Sequence, residues 1–386
     1  MEYKYITGAL RSKILEIFRH LHQHPELSDE EYRTTEYLKS TLNEMNIDLA
    51  DIQPKTGVIA IIRGRKPGKT LALRADIDAL PVCEDPTHQV RSLNEGVMHA
   101  CGHDSHTTAL LGAAAALKAA EADLAGNIIL IFQPAEETTT GAQAVMDTGI
   151  FEKMPPNAFY SLHMMPTVPF GQVGVRQGPI MAAQKAYTIT VNGKGGHGAS
   201  PHLTIDPIIP AVQIIEGLQA ISSRRISPTE PFALSVCSVH GGTAFNIVPE
   251  SVELKGTCRL LNNALSETVE NWITDIAADT AKVHNCTATT EFSRILPALD
   301  NDPVLTKIAA KAAGQMYAPE DIVCQDIMMG SEDYSLYSKY APIFMYHLGT
   351  GNGSGYGLHN PHFVVQDDAV IAGAELFVRT AFEFLK

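Results

Sequence analysis

The chain has no run of about 18 apolar residues, so no membrane-spanning helix is expected. Cationic charge is scarce: 29 Lys and Arg stand against 43 Asp and Glu, a formal net charge of −14. That balance argues against a nucleic-acid or anionic-membrane partner. It also means that an anionic substrate has to be captured by a few local cations. The first twenty residues contain no uninterrupted apolar core, because Glu2, Lys4, Arg11, Lys13, Glu16 and Arg19 break it up. No signal peptide is therefore expected, and the cytoplasm is the expected location. The six cysteines (83, 101, 237, 258, 286 and 324) are scattered, which fits reduced thiols rather than a disulfide framework. Five are expected as buried small hydrophobes; Cys101 is set apart by its neighbours. There is no internal repeat and no low-complexity segment, and the glycines of residues 349–357 are too irregularly spaced for a nucleotide site.

What is present is a soluble globular composition, 45% hydrophobic and 19% charged. At 386 residues the chain is too long for one ordinary core, so two domains are expected. Leu10, Ile14, Ile17, Phe18 and Leu21 recur at helical spacing and predict an amphipathic first helix. Strands are predicted over 58–62, 70–74, 127–132 and 158–163, with an alanine-rich helix over 105–120 capped by Asp104 or Ser105. The continuous apolar run 127–132 has the character of a strand buried on both faces of a parallel sheet. Ligands of such α/β sheets bind beyond the carboxyl ends of the strands. Asp76 and Asp78 follow one strand, Glu136 and Glu137 another, and His163 ends a third, so these groups converge on one sheet edge.

Near Met181 the pattern changes to strand, helix, two strands, helix and strand (186–191, 205–221, 233–239, 251–260, 266–283 and 286–292). That β-α-β-β-α-β order predicts an inserted ferredoxin-like α+β domain. After Pro297 helices return, with a strand over 342–348, the loop His359–His362 and a terminal helix over 367–385. The expected division is 1–183 and 297–386 for an α/β domain with a mostly parallel sheet flanked by helices, and 184–296 for the insert.

Cys101 and His103 in His-Ala-Cys-Gly-His-Asp (99–104), the pair Glu136-Glu137, His163 and His362 are the candidate metal ligands. Thiolate, imidazole and carboxylate together suit a borderline-soft ion such as zinc, nickel, cobalt or manganese. Of two adjacent glutamates, one can ligate while the other handles protons, the minimum equipment for metal-assisted hydrolysis. Other interpretations stand beside these. Cys101 could be a core thiol, or a nucleophile with a histidine base, although a nucleophile leaves Glu136-Glu137 unexplained. The glutamates could be solvated helix-start acids, and His163 a hydrogen-bonded core histidine.

Eight segments recur together, and in this order, in one family: Arg-His-Leu-His-Gln-His-Pro-Glu-Leu-Ser (19–28), Leu-Arg-Ala-Asp-Ile-Asp-Ala-Leu-Pro (73–81), Met-His-Ala-Cys-Gly-His-Asp (98–104), Phe-Gln-Pro-Ala-Glu-Glu (132–137), Gly-Lys-Gly-Gly-His-Gly (193–198), Phe-Asn-Ile-Val-Pro (245–249), Gly-Ser-Glu-Asp-Tyr (330–334) and His-Asn-Pro-His-Phe (359–363). Over nearly its whole length the chain resembles the hippurate hydrolase and N-acyl-amino-acid amidohydrolase branch of the di-metal aminoacylase/carboxypeptidase family. Auxin-conjugate hydrolases and N-acetyldiaminopimelate deacetylases are similar. The resemblance implies a di-metal catalytic domain interrupted by a lid and dimerisation domain. It implies two divalent ions per subunit on Cys101, His103, Glu137, His163 and His362, with Glu136 as general base. Cys101 takes the place where the wider family bridges its metals with an aspartate. Between Glu84 and Gly96 the chain departs from the branch's shorter, more apolar pattern.

The remaining expectations complete this picture. Asp78 orients a ligand or the attacking water, with Asp76 as the second candidate. His99 and His106 support ligands rather than bind metal, and His20, His22 and His24 mark a helix end broken by Pro25. His197, among four glycines, can donate to a developing oxyanion, or lie in an ordinary flexible turn. Asn246 and Arg259 hold a substrate carboxylate, Arg259 as a fork, with residues near Gly330 lining the same end. The expected activity is deacylation of a small N-acyl amino acid by a homodimer or higher homo-oligomer formed through the insert. A metallo-dipeptidase or carboxypeptidase and a non-catalytic metal-dependent binding protein are the alternatives.

Overall fold

A computed structural model describes residues 3–386. They form two compact units. The first comprises the chain through Gly178 with Asp300–Asp326 and Asp333–Lys386; the second comprises Pro179–Leu299 with Ile327–Glu332.

The first unit is built on an eight-stranded sheet, in the order Asp48–Leu49, Val58–Arg63, Ala125–Gln133, Lys66–Asp76, Ala158–Pro169, Ile343–Gly351, Val173–Gly174 and Ile322–Val323. Its four central strands run parallel. The expected α/β class with a mostly parallel sheet is what the structure shows. Ile128–Phe132 is wholly buried, as a central strand covered on both faces must be. The flanking helices Gly8–Gln23, His103–Ala119 and Asp367–Phe384 pack on one another, and Ile14, Ile17, Phe18 and Leu21 are the buried stripe of the first. Among the described residues, no helix is long and apolar enough to cross a membrane.

Register sets the site. Asp76 lies opposite Gln133, and His163 lies opposite His347. Because these strands are parallel, their carboxyl ends open on one edge, where the chain leaves each strand in a loop bearing polar groups.

The second unit is a four-stranded antiparallel sheet, in the order Phe232–Gly241, Ser251–Leu260, Ala183–Asn192 and Thr287–Leu296. Helices Ile208–Ala220 and Ser266–Val283 bury Ala211, Ile214, Leu218, Val269, Ile273, Ala277 and Ala281. With the chain order β-α-β-β-α-β, this is a ferredoxin-like arrangement.

All six cysteines are free. The expectation that all but Cys101 are buried is corrected: Cys83, Cys237 and Cys324 are exposed. Cys237 falls at the bulge between Val236 and Ser238 on a sheet edge, where pairing is interrupted.

Candidate metal centre

The helix His103–Ala119 starts from Gly102, whose φ of 87° is left-handed. Glycine adopts that conformation without a Cβ penalty. Neither Asp104 nor Ser105 caps the helix as expected, and it begins two residues earlier. His103 and His106, three apart, therefore share one helix face. Asp76 and Asp78, two apart, share one face of the strand and its extension. The two pairs meet. His103 Nδ1 donates to Asp78 Oδ1 at 3.0 Å, and His106 Nδ1 donates to Asp76 Oδ1 at 2.6 Å. His106 Nε2 accepts the Met164 N–H at 2.8 Å, so both its nitrogens are committed and it is not available to a metal.

Asp78 and Asp76 have different tasks. Asp78 also accepts from Ser28 Oγ at 2.7 Å and from the Glu137 N–H at 3.0 Å. Burial alone would raise its carboxyl; the bonds from His103, Ser28 and Glu137 overcome that and hold it below the usual range. Asp76 accepts from Arg74 at 2.7 Å. The guanidinium is fully buried and also donates to Gln133 at 2.9 Å and to Asp333 at 3.2 Å. Arg74 is a member of this network that the sequence motif did not single out.

Two of the groups in which donor atoms cluster share Cys101. Cys101, His103 and His163 form one; Cys101, Glu137 and His359 form the other, with the ligand atoms of each group within 4.8 Å of one another. Cys101 belongs to both. Its Sγ is 3.6 Å from His163 Nε2, and His163 Nδ1 donates to the Met164 carbonyl at 2.9 Å. Burial, with His106 beside it, holds the His163 imidazole well below its ordinary value, so it is neutral and its Nε2 lone pair faces the thiol. Glu136, 8% exposed, groups with Glu137 and His103.

His362, also expected among the ligands, lies in neither group. Its Nδ1 pairs with the Asp85 carboxylate, and its ring lies 4.5 Å from that of Tyr356. His359 stands in the place expected for it, with Nε2 at 3.2 Å from Glu137 Oε1. The cause is in the backbone. His359 has φ 61°, and its N–H donates to the Ala100 carbonyl at 2.8 Å, tying it to the Cys101 segment. The Cys101 thiol and the Glu137 carboxylate push the His359 imidazole up to about 10.

These groups fit a divalent cation. His103 Nε2 is buried and has no hydrogen-bond partner among the described residues, although a buried nitrogen of this kind is ordinarily satisfied. Burial opposes an imidazolium at His103; Asp76, Cys101 and Asp78 override it and raise the group well above its ordinary value. The same negative surroundings that favour a proton on His103 favour a metal cation in its place.

His22 is more than a helix end. Its Nδ1 pairs with Asp104 at 2.7 Å and its Nε2 with Glu84 at 2.9 Å. His99 is buried, and its Nδ1 has no hydrogen-bond partner among the described residues.

In the second unit, His197 is exposed, pairs through its backbone with Ile247, and its Nδ1 accepts the Ala199 N–H at 3.1 Å. Asn246 is exposed, and its carbonyl accepts the Gly198 N–H at 2.8 Å. Arg259 donates to Ser331 Oγ at 2.7 Å, and Ser331 donates to Gln184. The guanidinium has no carboxylate within ion-pair distance among the described residues. Gly330 precedes Ser331, and its carbonyl accepts the Ala182 N–H at 2.8 Å.

A parallel-centred α/β sheet with this donor set at its strand ends is the scaffold of a metal-dependent hydrolase. Residues 72–383 match the model of peptidase family M20/M25/M40, and the chain belongs to that family. It is 36% identical over 374 residues to the N-acetylcysteine deacetylase of Bacillus subtilis (strain 168), covering 97% of each chain. It is also 36% identical over 378 residues to thermostable carboxypeptidase 2 of Saccharolobus solfataricus, covering 96% of this chain and 95% of that one. Among solved structures, a Bacillus subtilis protein described as a dinuclear metal binding peptidase from the M20 family matches with a TM-score of 0.86 at 34% identity, covering 98% of this chain and 99% of that one.

Proposed function

We propose that the protein is a di-metal amidohydrolase that removes the acyl group from an N-acyl amino acid. The observation that carries this is Cys101, shared by two triads of donors beside the buried Glu136. Cys101, His103 and His163 would hold one ion, and Cys101, Glu137 and His359 the other; manganese, zinc, nickel and cobalt all suit this set. Two such ions, when bound, lower the pKa of a water and polarise the acyl carbonyl. Glu136 takes the proton of the attacking water and passes it to the leaving amine. Asp78 holds His103 in the tautomer that leaves Nε2 free, and fixes the Glu137 backbone. His197 supplies the donor for the tetrahedral oxyanion. Arg259, lacking a carboxylate partner of its own, receives the α-carboxylate of the amino acid, with Asn246 and the Gly330 backbone at the same end. The protein works in the cytoplasm as a homodimer formed through the second unit, which serves as lid and dimerisation domain.

The similarity to a carboxypeptidase supports a second reading, cleavage of a peptide bond. One experiment separates the two. Apo enzyme reloaded with manganese, zinc, nickel or cobalt is assayed on a panel of N-acyl amino acids, dipeptides and longer peptides. Metal-dependent deacylation is expected. Preference for substrates with a free amine on the acyl side would establish the peptidase reading, and full activity in verified metal-free protein would defeat both.

A further inference from the structure

The turn that carries both glutamates has an unfavourable backbone. Ala135 has φ 50° and Thr139 φ 62°, values that non-glycine residues rarely adopt. The turn is also tight. The Thr140 and Gly141 N–H groups both donate to the Ala135 carbonyl, and a Cβ on Gly141 would lie 1.6 Å from the Pro134 oxygen. Strain of this kind persists only where the surroundings over-determine it.

Here the surroundings are three buried carboxylates from distant parts of the chain. Glu31 Oε1 accepts the Ala135 N–H at 2.8 Å, Asp78 the Glu137 N–H at 3.0 Å, and Asp333 the Ala142 N–H at 2.9 Å. Asp333 also binds Arg74, and Asp78 binds His103. Glu31 is different. It is fully buried, yet no cation lies within ion-pair distance of it among the described residues. Its own backbone is fixed, because its carbonyl accepts from Thr35 N at 2.9 Å and Thr35 Oγ1 at 2.6 Å. Burial pushes its carboxyl up to about 7. A buried carboxyl without a cation is costly, and this one directs its Oε1 at the residue before Glu136.

We propose that Glu31 is a positioning residue: its carboxyl holds the Ala135 N–H, keeps that residue left-handed, and so sets the direction in which Glu136 enters the site. The proposal rests on Glu136 being the base. Glutamine at position 31 can still accept the Ala135 N–H through its amide oxygen, whereas alanine cannot. Glycine at position 135 takes the left-handed conformation without help. The role therefore makes opposite demands on two kinds of variant.

The test uses the full-length, metal-loaded enzyme and the N-acyl amino acid that wild type cleaves fastest. E31A should lower kcat by about a hundredfold, the scale of a misplaced catalytic group, with KM and metal content unchanged. E31Q should stay near wild type, and E31A/A135G should recover most of the loss. Hydrogen exchange of the peptide spanning residues 133–142 should quicken in E31A but not in E31Q. Wild-type kcat and exchange in a folded E31A, an E31Q as impaired as E31A, or no recovery in the double variant would each overturn the proposal. Should E31A not fold, E31D carries the test, because it withdraws the carboxyl by one methylene; wild-type kcat and exchange there would overturn the proposal. Exchange requires no substrate, so it still decides the matter if wild type deacylates nothing and the functional reading fails.

Discussion

Replacing Asp78 by asparagine changes one heavy atom and leaves no satisfactory arrangement. Asp78 is 1% exposed and accepts three hydrogen bonds, from His103 Nδ1, Ser28 Oγ and the Glu137 N–H. An amide has one accepting oxygen and a nitrogen that only donates. With the oxygen toward His103, the amide nitrogen meets the Glu137 N–H and the Ser28 hydroxyl. The hydroxyl can rotate to accept; the N–H cannot. With the amide flipped, the nitrogen faces His103 Nδ1, and the imidazole has to move its proton to Nε2, the atom a metal would need. Either way one charge-assisted bond is lost, about 1.5–3 kcal/mol, and one buried donor is stranded for about 1–3 kcal/mol more. The sum, roughly 2.5–6 kcal/mol, divides between folding and metal binding.

Metal affinity should accordingly fall by about 10–100-fold, as for other partners of ligating histidines. Competition with a chromogenic chelator measures it, and thermal unfolding of the metal-free protein measures the folding share. Ser28→Ala is the control. It removes one bond but leaves His103 and Glu137 held, so it should cost about 1 kcal/mol of stability and leave metal affinity unchanged. An Asp78→Asn protein with wild-type metal affinity and wild-type stability would refute the reasoning.

His359→Ala should lose about one metal equivalent by elemental analysis, whereas His362→Ala should keep both; the reverse pattern would restore His362 as the ligand. Glu136→Gln should cut kcat by at least about a hundredfold with metal retained, and turnover close to wild type would remove Glu136 from the role of base. Arg259→Ala should weaken substrates with a free α-carboxylate far more than their amides, read as KM for each; equal loss would make Arg259 structural. The His22 imidazole is raised to about 10: burial opposes the charge, but Asp104 and Glu84 on its two nitrogens override it. Its ordinary value is 6.5, so its stabilisation, on the order of a few kcal/mol, is fully present below that pH and is lost as pH rises through 10. The unfolding free energies of wild type and His22→Gln should therefore converge between pH 7 and pH 10, and a gap that widens would contradict the ion pair.

Much of the architecture was legible because it follows from burial and period. The apolar run at 127–132 could only be a strand covered on both sides, and the structure extends it to Ala125–Gln133. The β-α-β-β-α-β insert was legible because its two helices carry clear apolar stripes, and Ser266–Val283 begins and ends where the pattern does. The helix start at His103 was missed because the cap is a conformation, the left-handed φ of Gly102, and not the side chain that usually signals one. Cys237 was assigned to the core because a bulge cannot be seen in a period-two pattern until the partner strand is known.

At the site, sequence order put polar groups at the ends of parallel strands, and the structure brings Cys101, His103, Glu136, Glu137 and His163 together there. The pairing of Asp76 and Asp78 with His106 and His103 was also latent in the spacing, two on a strand against three on a helix. His359 and His362 carry no such signal. They sit three apart in a loop, and nothing in His-Asn-Pro-His says which imidazole turns inward. The choice is made by one backbone hydrogen bond to Ala100 and one left-handed residue, both consequences of tertiary packing. Glu31 was hidden for a related reason. In Pro-Glu-Leu-Ser-Asp-Glu-Glu it is one of several acids ahead of a helix, and an acid in that place usually serves the helix dipole. Its carboxyl instead reaches a turn 104 residues further along the chain, so the feature that distinguishes it exists only once the sheet has brought the two segments together.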